Sequence, residues 1–518
     1  MIRSGWAMSS DREPVETEIK LRAPPGAIEA LERHPTLAAA AAEERREVTT
    51  YFDTPKRDLA RRHCSLRIRQ IGERRVQTAK SARGAGVAAR RGEWEQAVET
   101  DTPDLSKLAG TPIGSMLPSG AVDELRPVLV TDIRRTARLL RIDAQTAVEA
   151  ALDRGVISAA GRSEPVSELE LELKQGNPGA LYRLAIELTA AAPLTLEPAS
   201  KAERGLRLGT GERPTPAKAP TVRFARHITA AEAFSEIVRS ILGHMLANVA
   251  AARISDPEGV HQLRVAIRRL RATLVLFQRA LRRETSRRFN EELRRMGQVF
   301  GRARDWDVFV GETLPSVEVQ GTERGPLDLL RQRAEQWRAA AQADVRRELD
   351  GPAFTTLLLG VAGWIEDGAE DPTLLGDASL RRPIAELAPA FLGRMAQKTS
   401  RRGKRLKGAS REELHALRKS IKKLRYAFEF LAPLYPADKV EAVVEPCEKL
   451  QKFLGHLNDA AVTPGLAEQL AEGGHADLAP AVGVLAAWAE VRGRKALRRI
   501  PKHWRRLGKA ELMNRACI

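Results

Sequence analysis

Cysteine is scarce in this sequence: Cys64, Cys447 and Cys517 are the only three in 518 residues, and no two share a paired spacing. That excludes a disulfide framework and a thiolate metal site and makes the cell interior the expected compartment. Long hydrophobic runs are missing too. No stretch reaches the roughly 18 apolar residues of a spanning helix, and the opening MIRSGWAMSSDREP lacks the apolar core of a secretory signal, so the sequence reads as soluble and cytoplasmic. Aromatic residues make up 4%, too few to suggest the stacking platforms that hold single-stranded nucleic acid. Acidic residues are also in deficit: the formal net charge is +18 and the pI about 10.1. A field of that sign attracts polyanions. The excess is uneven, with 32 Lys and Arg against 30 Asp and Glu in residues 1–208 (net +2), and 53 against 37 (net +16) in the remainder.

A chain of this length calls for two to four domains. The stretch GTGERPTPAKAPTV has three prolines, two glycines and no apolar periodicity, which is linker composition. It separates two textures. Upstream, VETEIKL, SLRIRQI, EWEQAV and SELELELK alternate apolar and charged residues at period two, as strands do. Two helices interrupt them, one near Gly26 to His34 and one in NPGALYRLAIELTAAA, where Asn177 can cap the N-terminus. Downstream, Leu, Ala, Arg and Glu recur at period 3.6, the pattern of a helical bundle. The expected architecture is multidomain α+β: a mainly β domain over residues 14–208, a linker over 209–222, and an all-α domain over 223–508.

The strands carry unusual charge. In VETEIKL, Val15, Thr17, Ile19 and Leu21 point to one side while Glu16, Glu18 and Lys20 point to the other. SELELELK opposes Leu169, Leu171 and Leu173 to Glu168, Glu170, Glu172 and Lys174. Arg67 and Arg69 share a phase, as do Glu93 and Glu95. One such row is ordinarily a solvated sheet face. For several rows the repulsion matters: carboxylates two apart on a strand lie about 6.7 Å apart and repel by about 2 to 3 kcal/mol at an effective dielectric of about 20. A sheet that closes, with anionic and cationic rows facing one another inside, relieves that repulsion. Carboxylates in such an interior suit a hard divalent cation, and Lys and Arg suit phosphate oxygens. The implied ligand is a metal-bound oligophosphate.

ETEIK at Glu16 to Lys20, followed in order by YFDTP, LRIR, ALDRG, ELELELK and EPASKAERG, resembles the CYTH domain, the triphosphate tunnel metalloenzymes. The resemblance implies an eight-stranded antiparallel β tunnel with flanking helices that hydrolyses or transfers triphosphates with Mg²⁺ or Mn²⁺. It further implies metal binding by Glu16, Glu18, Glu170 and Glu172, and phosphate binding by Lys20, Arg67, Arg69, Lys80, Arg135 and Lys201. Asp153 and Glu95 fall at further acidic tunnel positions, so Glu16, Glu18, Lys20, Glu95 and Asp153 are the expected catalytic set, with Glu93 and Glu168 on the same strands. Ala137 stands where a second cation is often found, and the nearby Arg138 has the opposite strand phase from Arg135. The expected chemistry is in-line attack of water on a terminal phosphorus, a tunnel carboxylate taking the proton.

The helical part repeats itself. At an offset of 154, HQLRVAIRRLRA from His261 aligns with HALRKSIKKLRY from His415, and FGRARDWDV aligns with LGHLNDAAV in the same register, pairing Gly301 with Gly455 and Asp305 with Asp459. The two copies are expected over about 223–350 and 380–508. Arg264, Arg268 and Arg271 form one helical stripe beside His261, opposite Leu263, Ile267, Leu270 and Leu274. Arg418, Lys422 and Arg425 repeat it beside His415, with Lys419 and Lys423 adjacent. Like charges at this spacing cost an isolated helix about 0.2 to 0.5 kcal/mol per pair, which an anion would offset. Asp305 and Asp459 suit the orienting of arginines or the capping of helices. These motifs resemble the CHAD domain, which implies two pseudo-symmetric helical bundles whose basic surface binds inorganic polyphosphate. Lys398, Arg401, Arg402, Lys404, Arg405 and Lys407 form a further basic run, either part of that surface or a solvated loop.

The leading expectation is therefore an inorganic triphosphatase with a polyphosphate-binding module, cytoplasmic and located at polyphosphate granules. The alternatives are a non-catalytic polyphosphate-binding protein, and a tunnel enzyme of other specificity such as adenylate cyclase or thiamine triphosphatase. Nucleic-acid binding is disfavoured, because no helix-turn-helix pattern accompanies the basic stripes. Chain length, metal, general base and oligomeric state are not legible.

Overall fold

The structure, a computed structural model, describes residues 15–510 and 513 apart from 82, 83, 85, 110, 112, 115, 116, 118–123, 319–323, 405, 407 and 473–475. Cys517 and the basic residues Arg405 and Lys407 lie outside the described residues. The chain divides into two compact units, one of residues 1–214 with 351–363 and the other of residues 215–350 with 364–518.

In the first unit, eight antiparallel strands close on themselves: β1 (Val15–Arg22), β2 (Ala42–Asp53), β3 (Ser65–Ile71), β4 (Arg74–Lys80), β5 (Ala89–Val98), β6 (Arg126–Arg141), β7 (Ala147–Ala159) and β8 (Arg162–Gln175). The order is β5-β4-β3-β2-β6-β7-β8-β1, and β1 pairs back onto β5 to complete the barrel. A short β9 (Thr195–Leu196) adds to β1. The period-two pattern is turned inside out relative to an ordinary barrel. Ile19, Leu21, Leu169 and Leu171 are fully buried on the outside of the sheet, where helices α1 (Ala27–Glu32) and α3 (Pro178–Ala191) pack on β1 and β8. The charged phase is left for the interior. A short α2 (Pro35–Ala38) follows α1, and Asn177 caps α3 by accepting from the Gly179 N–H, as its sequence indicates.

A further helix, α4 (Lys201–Thr210), is not anticipated by periodicity, since Gly205 and Gly209 weaken its signal; the Ser200–Glu203 capping box is the local cue that reveals it. It packs across β6, β7 and β8, and Ala202 joins Tyr51, Ile133 and Ile157 in an apolar cluster. Two motif residues have structural roles. Asp53 in YFDTP accepts from the N–H groups of Thr54, Leu59 and Ala60, fixing the turn out of β2. Gly155 in ALDRG lets β6 approach closely, because a Cβ there would stand 2.0 Å from the Asp132 carbonyl oxygen.

The second unit is helical. The first copy of the repeat comprises α5 (Ala230–Arg253), α6 (Pro257–Leu276), α7 (Arg283–Val308) and α8 (Arg324–Asp350), each packed on the next. Helix α9 (Pro352–Glu370), whose residues 352–363 belong to the first unit, follows, and the second copy comprises α10 (Ile384–Gly403), α11 (Arg411–Phe430), α12 (Ala437–Ala471) and α13 (Ala479–Leu507), again packed in sequence. Asp256 caps α6 and a Ser410–Glu413 capping box starts α11. Leu263, Ile267, Leu270 and Leu274 are buried and so are Leu417, Ile421 and Leu424, so both repeated helices present the apolar stripe inward as expected. The two also pack on each other. No helix among the described residues is long and apolar enough to cross a membrane.

Candidate functional site

The barrel encloses a cavity of about 680 Å³ whose lining includes every residue expected there: Glu16, Glu18, Lys20, Arg67, Arg69, Lys80, Glu95, Arg135, Asp153, Glu170, Glu172 and Lys201. Strand register brings them together. Lys20 pairs opposite Glu170 and Glu18 opposite Glu172 across β1 and β8, while Arg135 stands opposite Asp153 across β6 and β7.

Two ionic networks result. In one, Lys20 Nζ donates to Glu18 Oε2 at 2.8 Å and Glu170 Oε1 at 2.6 Å. Arg135 holds Asp153 bidentately at 2.7 and 2.6 Å and reaches Glu170 at 2.5 Å. Lys201 Nζ donates to Asp153 at 2.8 Å and Glu170 at 3.0 Å and also contacts Glu168. In the other, Lys80 Nζ lies 2.7 Å from Glu16 and 3.0 Å from Glu93, and Arg91 bridges Glu16 and Glu18. Burial would raise the carboxyls of Glu18 and Glu170, but the surrounding Lys20, Arg91, Lys201 and Arg135 charges outweigh it and hold both well below the usual range. Glu172 behaves oppositely: burial, with Glu16 and Glu149 nearby, pushes it up despite its 2.7 Å contact with Lys174.

Cations on β3 are less well matched. Burial and the neighbouring Arg67 charge push Arg69 down, with Glu47 at 3.5 Å its nearest carboxylate. Among the described residues the buried Nε of Arg67 makes no hydrogen bond, and that of Arg69 has only the 3.5 Å ion pair with Glu47. Two guanidinium groups lining one cavity, with so little carboxylate pairing, suit an anionic ligand. Glu95 accepts a hydrogen bond from Thr78 Oγ1 at 3.1 Å.

Among the described residues, the acidic group whose oxygens converge within 4.8 Å is Asp153, Glu168 and Glu170. Lys201 stands among these three. Glu168 is buried between Lys201 and Arg204 and does not line the cavity. Arg138 donates to the carbonyls of Leu37 and Ala40 and so faces away from Arg135, as its phase indicates. Lys174 lines the cavity with the rest of its charged row, and Arg45, Glu47, Tyr51, Arg91 and Glu149 also line it without having been anticipated. Arg91 is in phase with Glu93 and Glu95 and was open to detection two residues upstream. Arg45 and Glu47 belong to AEERREV, whose lack of apolar alternation conceals β2.

In the helical unit the two repeated helices face one cavity of about 690 Å³. Helix α6 contributes Arg264, Arg268 and Arg271, α11 contributes His415, Arg418, Lys419, Lys422 and Lys423, and α7 adds Arg287 and Arg294. Glu291 is its one lining carboxylate among the described residues. Burial, then Arg268, Arg418, Arg264 and Arg425, pushes Lys422 down to about 5. Burial, then Lys398, Arg271, Arg402 and Lys419, pushes Lys423 down to about 8. Arg264 is oriented by Asp305 at 3.2 Å. His261 and Arg425 do not line the cavity. Burial and the charges of Arg304, Arg268 and Arg264 push His261 down to about 3, and Arg425 pairs with Glu429 and Glu448. Of the basic run, Lys398 and Arg401 line a smaller cavity with Arg279 and Arg394.

Residues 15–206 match the family model of the CYTH domain and residues 236–468 that of the CHAD domain. An inorganic triphosphatase of Haemophilus influenzae is 35% identical over 164 residues, 31% of this chain and 45% of the relative, so the match spans less than half of that protein. The crystal structure of the CHAD domain from the plant Ricinus communis aligns with 57% of this chain and 97% of its own at 26% identity and a TM-score of 0.51. A Hippeastrum protein whose structure is described as revealing a dominant triphosphatase activity aligns with 38% of this chain and 96% of its own, at 23% identity and a TM-score of 0.28.

Proposed function

The chain joins a CYTH domain to a CHAD domain, and we propose that the first hydrolyses inorganic triphosphate or a related short phosphate chain while the second holds inorganic polyphosphate. One observation carries the catalytic half: a closed tunnel in which Arg67, Arg69, Lys80, Arg135 and Lys201 line the same cavity as Glu16, Glu18, Glu170 and Glu172. Arg67, Arg69, Lys80, Arg135 and Lys201 bind the phosphate oxygens and absorb charge as the leaving phosphate departs.

The cofactor in this reading is Mg²⁺ or Mn²⁺. Glu16, Glu18, Glu170 and Glu172 are hard oxygen donors of the kind such ions take, and the raised Glu172, repelled by Glu16 and Glu149, is a carboxyl that a cation would relieve. When bound, the ion supplies positive charge to phosphate oxygens. The attacking water is deprotonated by Glu95, which lines the tunnel and, unlike Asp153, is in no ion pair among the described residues.

For the helical unit, Lys422 is the carrying observation, a buried lysine in the groove pushed down by burial and by the charges of Arg268, Arg418, Arg264 and Arg425. Such a cluster is stable when an anion joins it, and a groove lined from both repeats suits an extended one. Granule location would follow from that binding.

Purified full-length protein incubated with tripolyphosphate and Mg²⁺ tests the enzyme: phosphate release is expected, reduced by at least a hundredfold in Glu18→Ala. No release, with ligand affinity unchanged in that variant, would leave a binding protein. Relative rates on ATP and thiamine triphosphate test the specificity. Competition between long-chain polyphosphate and duplex DNA at moderate salt tests the groove, and displacement by DNA at equal charge would sink it.

A further inference from the structure

The two copies of the helical repeat differ beside the basic stripe. Beside the second copy's basic stripe lies a lobe of about 530 Å³, floored by Leu414, Leu454, Leu457 and Ala461. The corresponding positions of the first copy are filled. Phe300, at the place of Leu454, is fully buried. Asp307, at the place of Ala461, is held by Arg338 at 2.8 Å and Gln342 at 2.9 Å. Gln262, at the place of Ala416, is bonded to His244 and Glu258. Leu454, Ala461 and Ala416 are smaller than these counterparts, while Leu457 stands where the first copy has Ala303.

A bare phosphate chain has no use for an apolar floor. The charged lining, however, is mainly cationic, with Arg402, Arg411, Arg418 and Lys419 against the one carboxylate Glu412. His415, Arg418 and Lys419 line both the lobe and the large basic groove, so the two spaces share an edge. A ligand matching both has an apolar, planar head attached to a short run of phosphates. Guanidinium planes and an imidazole stack on aromatic rings. Asn458, among the lining residues, is hydrogen-bonded to His415 and Asp459, and the rest of its amide donor and acceptor capacity is open to a ring edge. An acyl chain would need neither.

We propose that this lobe binds the base of a nucleoside polyphosphate, with its phosphates on Arg418 and Lys419 at the mouth of the groove. The proposal rests on the anion-binding reading of the groove and adds a second ligand class, phosphate chains capped by a nucleoside.

The test is calorimetric titration of full-length protein with ATP, tripolyphosphate and long-chain polyphosphate in EDTA, so that metal-dependent turnover is absent. Ala461→Trp fills the lobe and Asn458→Ala removes the edge contact; circular dichroism and tripolyphosphate hydrolysis check that each folds. Ala461→Trp is expected to weaken ATP at least tenfold and Asn458→Ala about fivefold, with tripolyphosphate and long-chain polyphosphate unchanged within threefold. ATP affinity indifferent to both variants overturns the proposal, as does decyl phosphate binding more tightly than ATP in a lobe-dependent way. Loss of long-chain polyphosphate binding in the wild-type protein would instead refute the groove reading, while a lobe-dependent ATP signal would still stand.

Discussion

Lys20 Nζ lies 2.6 Å from Oε1 of Glu170, a residue 150 positions later in the chain, and the same ammonium lies 2.8 Å from Glu18. One cation thus separates two carboxylates that would otherwise repel across β1 and β8. Removing one partner of a buried pair typically costs about 3 to 5 kcal/mol. Lys20→Met is therefore expected to destabilise the protein by roughly that amount near neutral pH. Glu18 and Glu170 have lowered values in the folded state, so the stability they contribute is present above their unfolded values and lost as pH falls through the folded ones. Accordingly, the difference between Lys20→Met and wild type should be largest above about pH 5 and shrink in acid, as thermal melts across pH will show.

Glu95 stands 3.1 Å from the Thr78 hydroxyl and lines the tunnel. If it takes the proton from water, Glu95→Gln lowers kcat by about 10² to 10⁴ with KM within threefold. A purely electrostatic role would raise affinity for triphosphate instead, because a negative charge has gone. Steady-state kinetics on tripolyphosphate separates the two.

Lys422, at about 5, and Lys423, at about 8, both sit below their unfolded value near 10.4. Between those limits the unfolded chain binds more protons than the folded one, so without ligand their contribution makes stability rise with pH. An anion in the groove reverses the cause, raising both values. Polyphosphate binding at pH 7.5 is therefore expected to take up at least half a proton per site, and Lys422→Met to abolish most of that uptake. Titration calorimetry in buffers of differing ionisation enthalpy measures it; binding without proton uptake would contradict the assigned site.

Each repeat sets a glycine under its leading arginine. A Cβ at Gly301 would stand 3.8 Å from Arg264 Nη2, and one at Gly455 would stand 3.9 Å from Arg418 Nη2. Those are ordinary contact distances, so Gly301→Ala should fit and stabilise the helix by about 0.5 to 1 kcal/mol. Gly301→Leu should push the guanidinium aside and weaken long-chain polyphosphate at least fivefold, leaving tripolyphosphate hydrolysis unchanged. Melting curves and binding isotherms check the pair.

Much of this was legible beforehand where a pattern is local. Alternation marked β1, β3, β5 and β8, Asn177 announced its helix, and an unbroken offset disclosed the repeat. Strand β2 was hidden, because its inward positions Arg45 and Glu47 alternate with further charged residues rather than apolar ones. Arg91 was missed for want of extending a phase by one step. The convergence of Asp153, Glu168 and Glu170 around Lys201 was not legible, although each residue was named, because the acids come from β7 and β8 and the lysine from α4.

Sequence by itself determined which side chains share a face, since the periods of strand and helix depend only on backbone geometry. It could not say which face is inside. A charged row reads alike on a solvated sheet and in a closed barrel, and only the pairing of β1 with β5 and the packing of α1 and α3 over Ile19 and Leu171 turn the carboxylates inward. Likewise the arginine stripes were written in the chain, whereas their confrontation across one groove, and the lobe beside the second of them, come from how the helices pack.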